Sequence, residues 1–262
     1  MSSPTLPLPT FLIIGAQKSA TRWLRSNLGR HPHVYAAPHE VEFFNNGERF
    51  GSRGADWYRG QFAGWAGEHV VGEATPGYMI WRHHPPVVAN RIKEIVPDAR
   101  LIAVLRNPVD RANSAMVHHI RRGRLPEGST LLEHVRAQPP EADRVGLVTG
   151  GWYAASLRPF QRTFGDQLLV LLHDDVRDDP QAVYNAALRH VGANPQFRPT
   201  ELDQIVFSNQ EGEASHWRRD LLPEDRAELY EYFRDDVLEL EQLLGRDLSM
   251  WKPDIDVIDD AG

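Results

Sequence analysis

The feature that most constrains this chain is the run Phe11-Leu-Ile-Ile-Gly15-Ala-Gln-Lys18-Ser19-Ala-Thr21-Arg22-Trp-Leu-Arg25. A short apolar strand enters a glycine turn, a Lys-Ser-x-Thr-Arg sequence follows, and a helix with a hydrophobic face begins. The first backbone N–H groups of a helix have no intrahelical partner, and the helix dipole makes that end partly positive. A Lys ammonium, two hydroxyls and an Arg placed there make a phosphate or a sulfate the natural occupant. The same residues also suit an ordinary strand–turn–helix corner with a solvated lysine and a serine cap, so the segment alone leaves both open.

The rest of the chain repeats the alternation. A Pro-rich lead-in over about 1–9, expected to be mobile, precedes a strand over about 10–14 and a helix over about 20–29. Val70-Val-Gly-Glu73 is a short strand with a Thr75-Pro-Gly-Tyr78 turn behind it, and a helix over about 86–96 stops before Pro97-Asp98. Arg100-Leu-Ile-Ala-Val-Leu105 is a near-continuous apolar run, the pattern of a central parallel strand. Pro108 suits the first turn of a helix that carries Arg111, Ser114 and His118. The segment over about 123–148 is expected to be a lid or an insertion. A helix at about 151–164, a strand Leu168–Leu172 and a helix at about 179–191 follow. One long helix from Pro223 to Leu244 closes the pattern and is capped by Gly245. Its acidic side chains (among them Glu228, Asp236 and Glu239) read as a solvated face. Strands alternating with helices imply one α/β domain over 1–262, with helices on both sides of a central parallel sheet in an α/β/α sandwich.

Composition narrows the partners. A net charge of −7 argues against a general nucleic-acid binder, although a local basic pocket remains compatible with it. With no cysteine, disulfides and Cys-ligated zinc are excluded. No run approaches the ~18 apolar residues of a membrane span, and residues 1–9 carry no basic, apolar leader, so a cytoplasmic location is expected. The histidines His31, His33, His83, His84, His118 and His119 form no ligand motif, so no metal is expected. Trp57, Tyr58, Trp65, Tyr78, Trp81 and Trp152 are core residues by default.

In an open parallel sheet, ligands sit beyond the carboxyl ends of the strands. Three strands deliver polar groups there: Lys18 to Arg22, Glu73-Ala-Thr75, and Arg106-Asn107-Pro108. Arg106 suits a second phosphate or a buried salt bridge. Ser114, eight residues on, reaches the same anion only if its helix folds back. In Pro38-His39-Glu40-Val-Glu42-Phe43-Phe44, an extended backbone puts Glu40 and Glu42 on one face. Either carboxylate can then serve as a general base, or both can be solvated beside a Phe-Phe anchor.

Taken in order, Gly15-Ala-Gln-Lys18-Ser-Ala-Thr21, His39-Glu40-Val-Glu-Phe43-Phe44, Glu73-Ala-Thr75-Pro-Gly-Tyr78, Arg106-Asn-Pro-Val-Asp-Arg111-Ala-Asn-Ser114 and Gly245-Arg-Asp-Leu-Ser-Met-Trp251 form a set. That set resembles the sulfotransferases that use 3′-phosphoadenosine 5′-phosphosulfate (PAPS), in particular the heparan-sulfate-type branch and its bacterial relatives. The resemblance implies a P-loop-NTPase-like sulfotransferase fold and a sulfuryl transfer that needs no metal. It implies that Gln17, Lys18, Ser19, Ala20, Thr21 and Arg22 hold the 5′-phosphosulfate, with Lys18 at the departing oxygen. It further implies that Arg106 and Ser114 grip the 3′-phosphate, that Glu40 is the catalytic base, and that His118 lies in the active site. Arg218 or Arg219 falls in the late cofactor loop. The family's usual Lys before the catalytic Glu is His39 here, and a basic position after the strand-end Glu is Ala74.

A P-loop kinase needs Gly directly before Lys-Ser/Thr and a magnesium-holding Asp at a neighbouring strand end. This chain has Gln17 and Arg106 instead. A non-catalytic protein that binds the product PAP would have no need for Lys18 and Glu40 together. The acceptor implied is a glycan, a glycolipid or another small molecule, including a bacterial secondary metabolite. Arg121, Arg122 and Arg124 can meet an anionic acceptor or can complement a helix dipole.

Overall fold

The computed structural model describes residues 5–200, 202 and 220–253. In chain order the elements begin with β1 (Phe11–Gly15), α1 (Thr21–Leu28), β2 (Val34–Ala36), α2 (Gly54–Gly60) and β3 (Val70–Ala74). Next come α3 (Pro85–Ile95), β4 (Arg100–Leu105), α4 (Pro108–Arg121), α5 (Leu131–Arg136) and α6 (Tyr153–Phe164). The last are β5 (Leu168–Leu172), α7 (His173–Asp178), α8 (Pro180–Val191), α9 (Pro223–Glu231) and α10 (Arg234–Leu244). They fall into two compact units, one of residues 5–105 and 159–202 and the other of 106–158 and 220–253.

The first unit holds the whole sheet, in the order β2-β3-β1-β4-β5, with every pair parallel. Alternation along the strands explains why these runs are apolar throughout. Phe11, Ile13, Ile102, Val104 and Leu171 face one core, with Trp23, Leu24 and Leu28 of α1 and Val183, Tyr184, Ala187, Leu188 and Val191 of α8. Leu12, Ile14, Leu101, Ala103 and Leu105 point the other way and are buried too. The sheet is therefore covered on both faces, and the expected α/β/α layering holds. The connection after β1 runs toward β2 and that after β4 toward β5, so the order reverses between β1 and β4. That reversal is where such sheets bind ligands. At the start of the chain, Leu6 accepts a hydrogen bond from Arg59 at 2.9 Å and Pro9 is buried, so residues 5–9 lie against this unit.

The second unit is helical. Asn107 caps α4, its Oδ1 accepting from the backbone N of Val109 at 3.0 Å, and Pro108 takes the first helical position. The 123–148 segment is built around α5 and a buried Asp143, which accepts from the amides of Val145 at 3.0 Å and Leu147 at 2.6 Å. Arg111, wholly buried, donates to the carbonyl oxygens of Gly146 and Leu147.

Two expectations need correction here. The helix expected from Pro223 to Leu244 is broken at Tyr232–Phe233 into α9 and α10. No Pro or Gly marks the break. Phe233 is buried, and its ring packs so close to Gly151 that a Cβ there would lie 2.8 Å from it. The chain tightens to reach that site, and the freed Tyr232 carbonyl accepts from Trp152 Nε1 at 3.1 Å. The acidic face is also not simply solvated. Glu228 binds Arg136 Nε at 2.7 Å, Glu239 binds Arg158 at 2.9 Å, and Asp236 accepts the amides of Ala154 and Ala155 at the start of α6.

Candidate active site

The turn after β1 is held open by sterics and backbone pairing. β1 slips in register against β4 between Ile13 and Gly15, and the Ala16 amide then donates to Val104 at 2.8 Å. A Cβ on Gly15 would sit 2.7 Å from both Cβ and Sδ of Met79, so this position takes no larger residue without movement. Lys18 and Ala20 have φ of 71° and 68°, and the residue between them does not share that handedness. Such alternation turns successive N–H groups into one concavity, a nest for anions. Left-handed backbone at a non-glycine residue costs about 1–3 kcal/mol and persists where surrounding structure demands it.

α1 then starts at Thr21 with no side-chain cap and no acidic residue in its first turn. Ser19 is fully buried, and its hydroxyl has no hydrogen-bond partner among the described residues. An orphaned buried hydroxyl costs about 1–3 kcal/mol, which a bound oxyanion would remove. Of the expected cradle residues, Ser19 and Thr21 are buried, Gln17, Lys18 and Ala20 half-buried, and Arg22 exposed.

Glu73, at the end of β3, is wholly buried rather than open to a ligand. Its carboxylate accepts from Thr75 Oγ1 at 2.7 Å, Tyr78 OH at 2.6 Å and Tyr58 OH at 3.2 Å. Burial pushes the Glu73 carboxyl up to about 7, against the pull of those hydroxyls, and Tyr58 and Tyr78 are themselves raised by burial and by its charge. Thr75 Oγ1 in turn accepts the amides of Val41 at 3.0 Å and Glu42 at 3.1 Å, while Tyr78 OH accepts that of Phe43 at 3.2 Å. The segment carrying Glu40 thus hangs from the end of β3. Arg49 takes up Glu42, 3.5 Å away, and donates to the Val41 carbonyl at 2.6 Å.

Arg25, half-buried on α1, has its pKa lowered first by burial and then by Arg22, whereas the charges of Glu40 and Glu73 raise it. Glu40 and the cradle helix are therefore electrostatic neighbours. Of the two carboxylates that spacing left equivalent, Glu42 pairs with Arg49, whereas Glu40 is exposed and its charge is felt by Arg25 on α1.

Arg106, Ser114 and His118 belong to the second unit. Arg106 directly follows β4, and its carbonyl oxygen accepts from Tyr153 OH at 2.9 Å. Ser114 and His118 are half-buried one turn apart on α4, with the His118 ring edge-on to that of His119 at 5.3 Å. Arg218 and Arg219 lie outside the described residues. Among the described residues, no group of three or more His, Asp or Glu side chains is placed to hold a metal ion. None of the described helices is long and apolar enough to cross a membrane.

Sequence reasoning missed Arg25, Tyr58 and the use of Tyr78. Arg25 was within reach of it, since residues three apart share a helix face and Arg22 was already named. Tyr58 comes from α2, some fifteen residues from its partner, and carries no local signal.

The model of the sulfotransferase family matches residues 9–199, about three quarters of the chain. The chain belongs to the sulfotransferase family. A crystal structure of a sulfotransferase from Alicyclobacillus acidocaldarius superposes with a TM-score of 0.77 at 29% identity, covering 94% of this chain and 99% of that one. The human bifunctional heparan sulfate N-deacetylase/N-sulfotransferase 3 is 28% identical over 93% of this chain and 31% of its own length. The mouse heparan sulfate glucosamine 3-O-sulfotransferase 6 is 40% identical over 40% of this chain and 29% of its own. This sulfotransferase-family chain spans about a third of the length of these curated relatives.

Proposed function

We propose that this chain transfers a sulfuryl group from PAPS to a hydroxyl or amine of a carbohydrate or other small-molecule acceptor. The observation that carries the reading is the uncapped start of α1, where the buried Ser19 hydroxyl lacks a partner and Lys18 and Ala20 adopt left-handed backbone. Those groups fit the 5′-phosphosulfate. Gln17 to Arg22 would hold it, and Arg106 with Ser114 would take the 3′-phosphate.

When bound, PAPS supplies an activated sulfuryl group whose departing partner is a phosphate. Lys18 offsets charge growing on that phosphate, so the reaction requires no metal. The amides of the nest and helix start stabilise the equatorial oxygens, and positioned donors of this kind contribute about 3–4 kcal/mol each. Glu40 accepts the proton of the acceptor as its oxygen or nitrogen attacks in line. Arg25 places a cation on α1 whose charge Glu40 feels, and Glu42, paired to Arg49, stays out of the chemistry. His118, Arg218 and Arg219 enter this reading through the resemblance alone.

The test compares thermal stabilisation by PAP with that by ATP plus magnesium. PAP is expected to raise the melting temperature and ATP–magnesium to leave it unchanged; the reverse result sinks the sulfotransferase reading. PAP binding without transfer to any of a panel of sugars, amino sugars and phenols would leave a binding protein rather than an enzyme.

A further inference from the structure

Resting on the assignment of Glu40 as proton acceptor, we infer that Glu73 and Thr75, with Tyr78, are positioning residues. They hold the backbone of residues 41–43 so that the Glu40 carboxylate stays beside the cradle helix.

The direction of the hydrogen bonds carries this. Three consecutive amides, those of Val41, Glu42 and Phe43, donate to the hydroxyls of Thr75 and Tyr78 at 3.0, 3.1 and 3.2 Å. A hydroxyl can accept there only if its own proton points elsewhere. Both protons go to Glu73, at 2.7 Å on Oε2 and 2.6 Å on Oε1. Above about pH 7, where the buried Glu73 is ionised, the carboxylate is acceptor-only, so it draws both hydroxyl protons to itself and leaves the hydroxyl lone pairs to the amides. The Tyr58 hydroxyl, at 3.2 Å, adds a third donor to Oε1.

A fully buried carboxylate is an expensive way to close a loop, and an apolar side chain of similar size would close it more cheaply. What the carboxylate provides and an apolar residue cannot is a fixed direction for both hydroxyl protons, away from three successive amides, so that the hydroxyl lone pairs face those amides. Those amides start at the residue next to Glu40. Glutamine at 73 would place an NH₂ donor against one of the hydroxyls, which must then turn its proton toward the amides and release them.

The experiment uses Glu73→Gln and Thr75→Val, each alone and combined with Glu40→Gln. PAP formation from PAPS is followed with water as acceptor and with a glucosamine oligosaccharide. PAP affinity is measured by calorimetry, and amide hydrogen exchange is followed in the peptide 38–44. Each single variant is expected to lower kcat by about tenfold or more, with PAP affinity within about twofold of the parent and faster exchange at 41–43. In the Glu40→Gln background neither change should cost anything further, because both act through one group.

An additive loss in that background reduces the network to structural support and overturns the inference. So does a kcat within about twofold of the parent for both single variants while Glu40→Gln is inactive. Near-parent turnover by Glu40→Gln overturns the base assignment itself, a different result. If Thr75→Val fails to fold, Tyr78→Phe removes the Phe43 anchor while keeping the ring and is held to the same outcomes.

Discussion

Asn107 Nδ2 donates to the carbonyl oxygen of Trp251 at 3.0 Å, joining residues 144 apart in the chain. The same side chain caps α4 through its Oδ1, accepting the amides of Val109 at 3.0 Å and Asp110 at 3.4 Å. Tyr153, whose hydroxyl holds the Arg106 carbonyl at 2.9 Å, packs edge-on to the Trp251 ring at 6.2 Å. The closing Gly245–Trp251 motif thus fixes the corner from which Arg106 projects.

Asn107→Ala is accordingly expected to lower stability by about 1–2 kcal/mol, the usual cost of a lost helix cap. It is also expected to weaken PAP binding several-fold without touching the cradle. Urea unfolding and calorimetry check both parts. Asn107→Asp separates them, since it keeps the cap but puts two acceptors face to face at Trp251.

Gly15→Ala tests the cradle from the steric side. The added methyl carbon meets Met79 Cβ and Sδ at 2.7 Å, and the Cβ of Met79 cannot swing away as the sulfur can. Overpacking of this kind costs about 1–3 kcal/mol, and here it bears on the turn into Lys18. A drop in melting temperature together with loss of the stabilisation by PAP is expected. A variant that still binds PAP like the parent shows that the turn has room to shift.

Much of the first unit was legible because its signals are local. Phe11–Gly15, Arg100–Leu105 and Leu168–Leu172 are continuous apolar runs that only a sheet covered on both faces can bury. The strand–turn–helix corner at Gly15–Thr21 was legible for the same reason, since strand, glycine turn and helix start are contiguous. β2 is three residues long and α2 follows a π-helical turn at Arg49–Arg53, so neither carries enough of a period to be seen. The break at Phe233 and the burial of Glu73 are set by partners far along the chain, Gly151 in one case and Tyr58 in the other. A sequence window holds neither partner.

Asp236 gives a dependence of stability on pH with a definite sign. Burial raises its carboxyl from 3.8 to about 6, with the nearby charge of Glu239 adding to the rise and the amides of Tyr153, Ala154 and Ala155 opposing it. Between those two values the folded protein holds a proton that the unfolded chain has lost. Stability therefore falls as pH rises through that window, by at most about 1.4 kcal/mol per pH unit, and levels off above it. Asn at 236 retains one acceptor for the start of α6 and does not titrate. Subtracting the urea-unfolding curve of Asp236→Asn from that of the parent, at a series of pH values, isolates this slope from that of Glu73. A difference that is flat from pH 4 to 6 rules out the burial of the charge.

Arg25 offers a kinetic counterpart. Its guanidinium sits where the charges of Glu40 and Glu73 raise its pKa, and a neighbouring cation favours the ionised form of a carboxylate. Arg25→Gln keeps much of the side chain's length and removes only the charge. The base must be ionised to accept a proton, so losing its counter-charge moves the acid limb of the kcat/KM profile to higher pH, by up to about one unit. PAP affinity should change little, because Arg22 and Lys18 remain. The profile is measured with saturating PAPS and the acceptor limiting, so that the base of the PAPS-loaded, acceptor-free enzyme is the group reported. If Glu73 rather than Glu40 set the limb, Glu40→Gln would leave its position unchanged while lowering its height. An acid limb that does not move in Arg25→Gln means that the group titrating in kcat/KM is not beside α1, and Glu40 then loses its claim as the base.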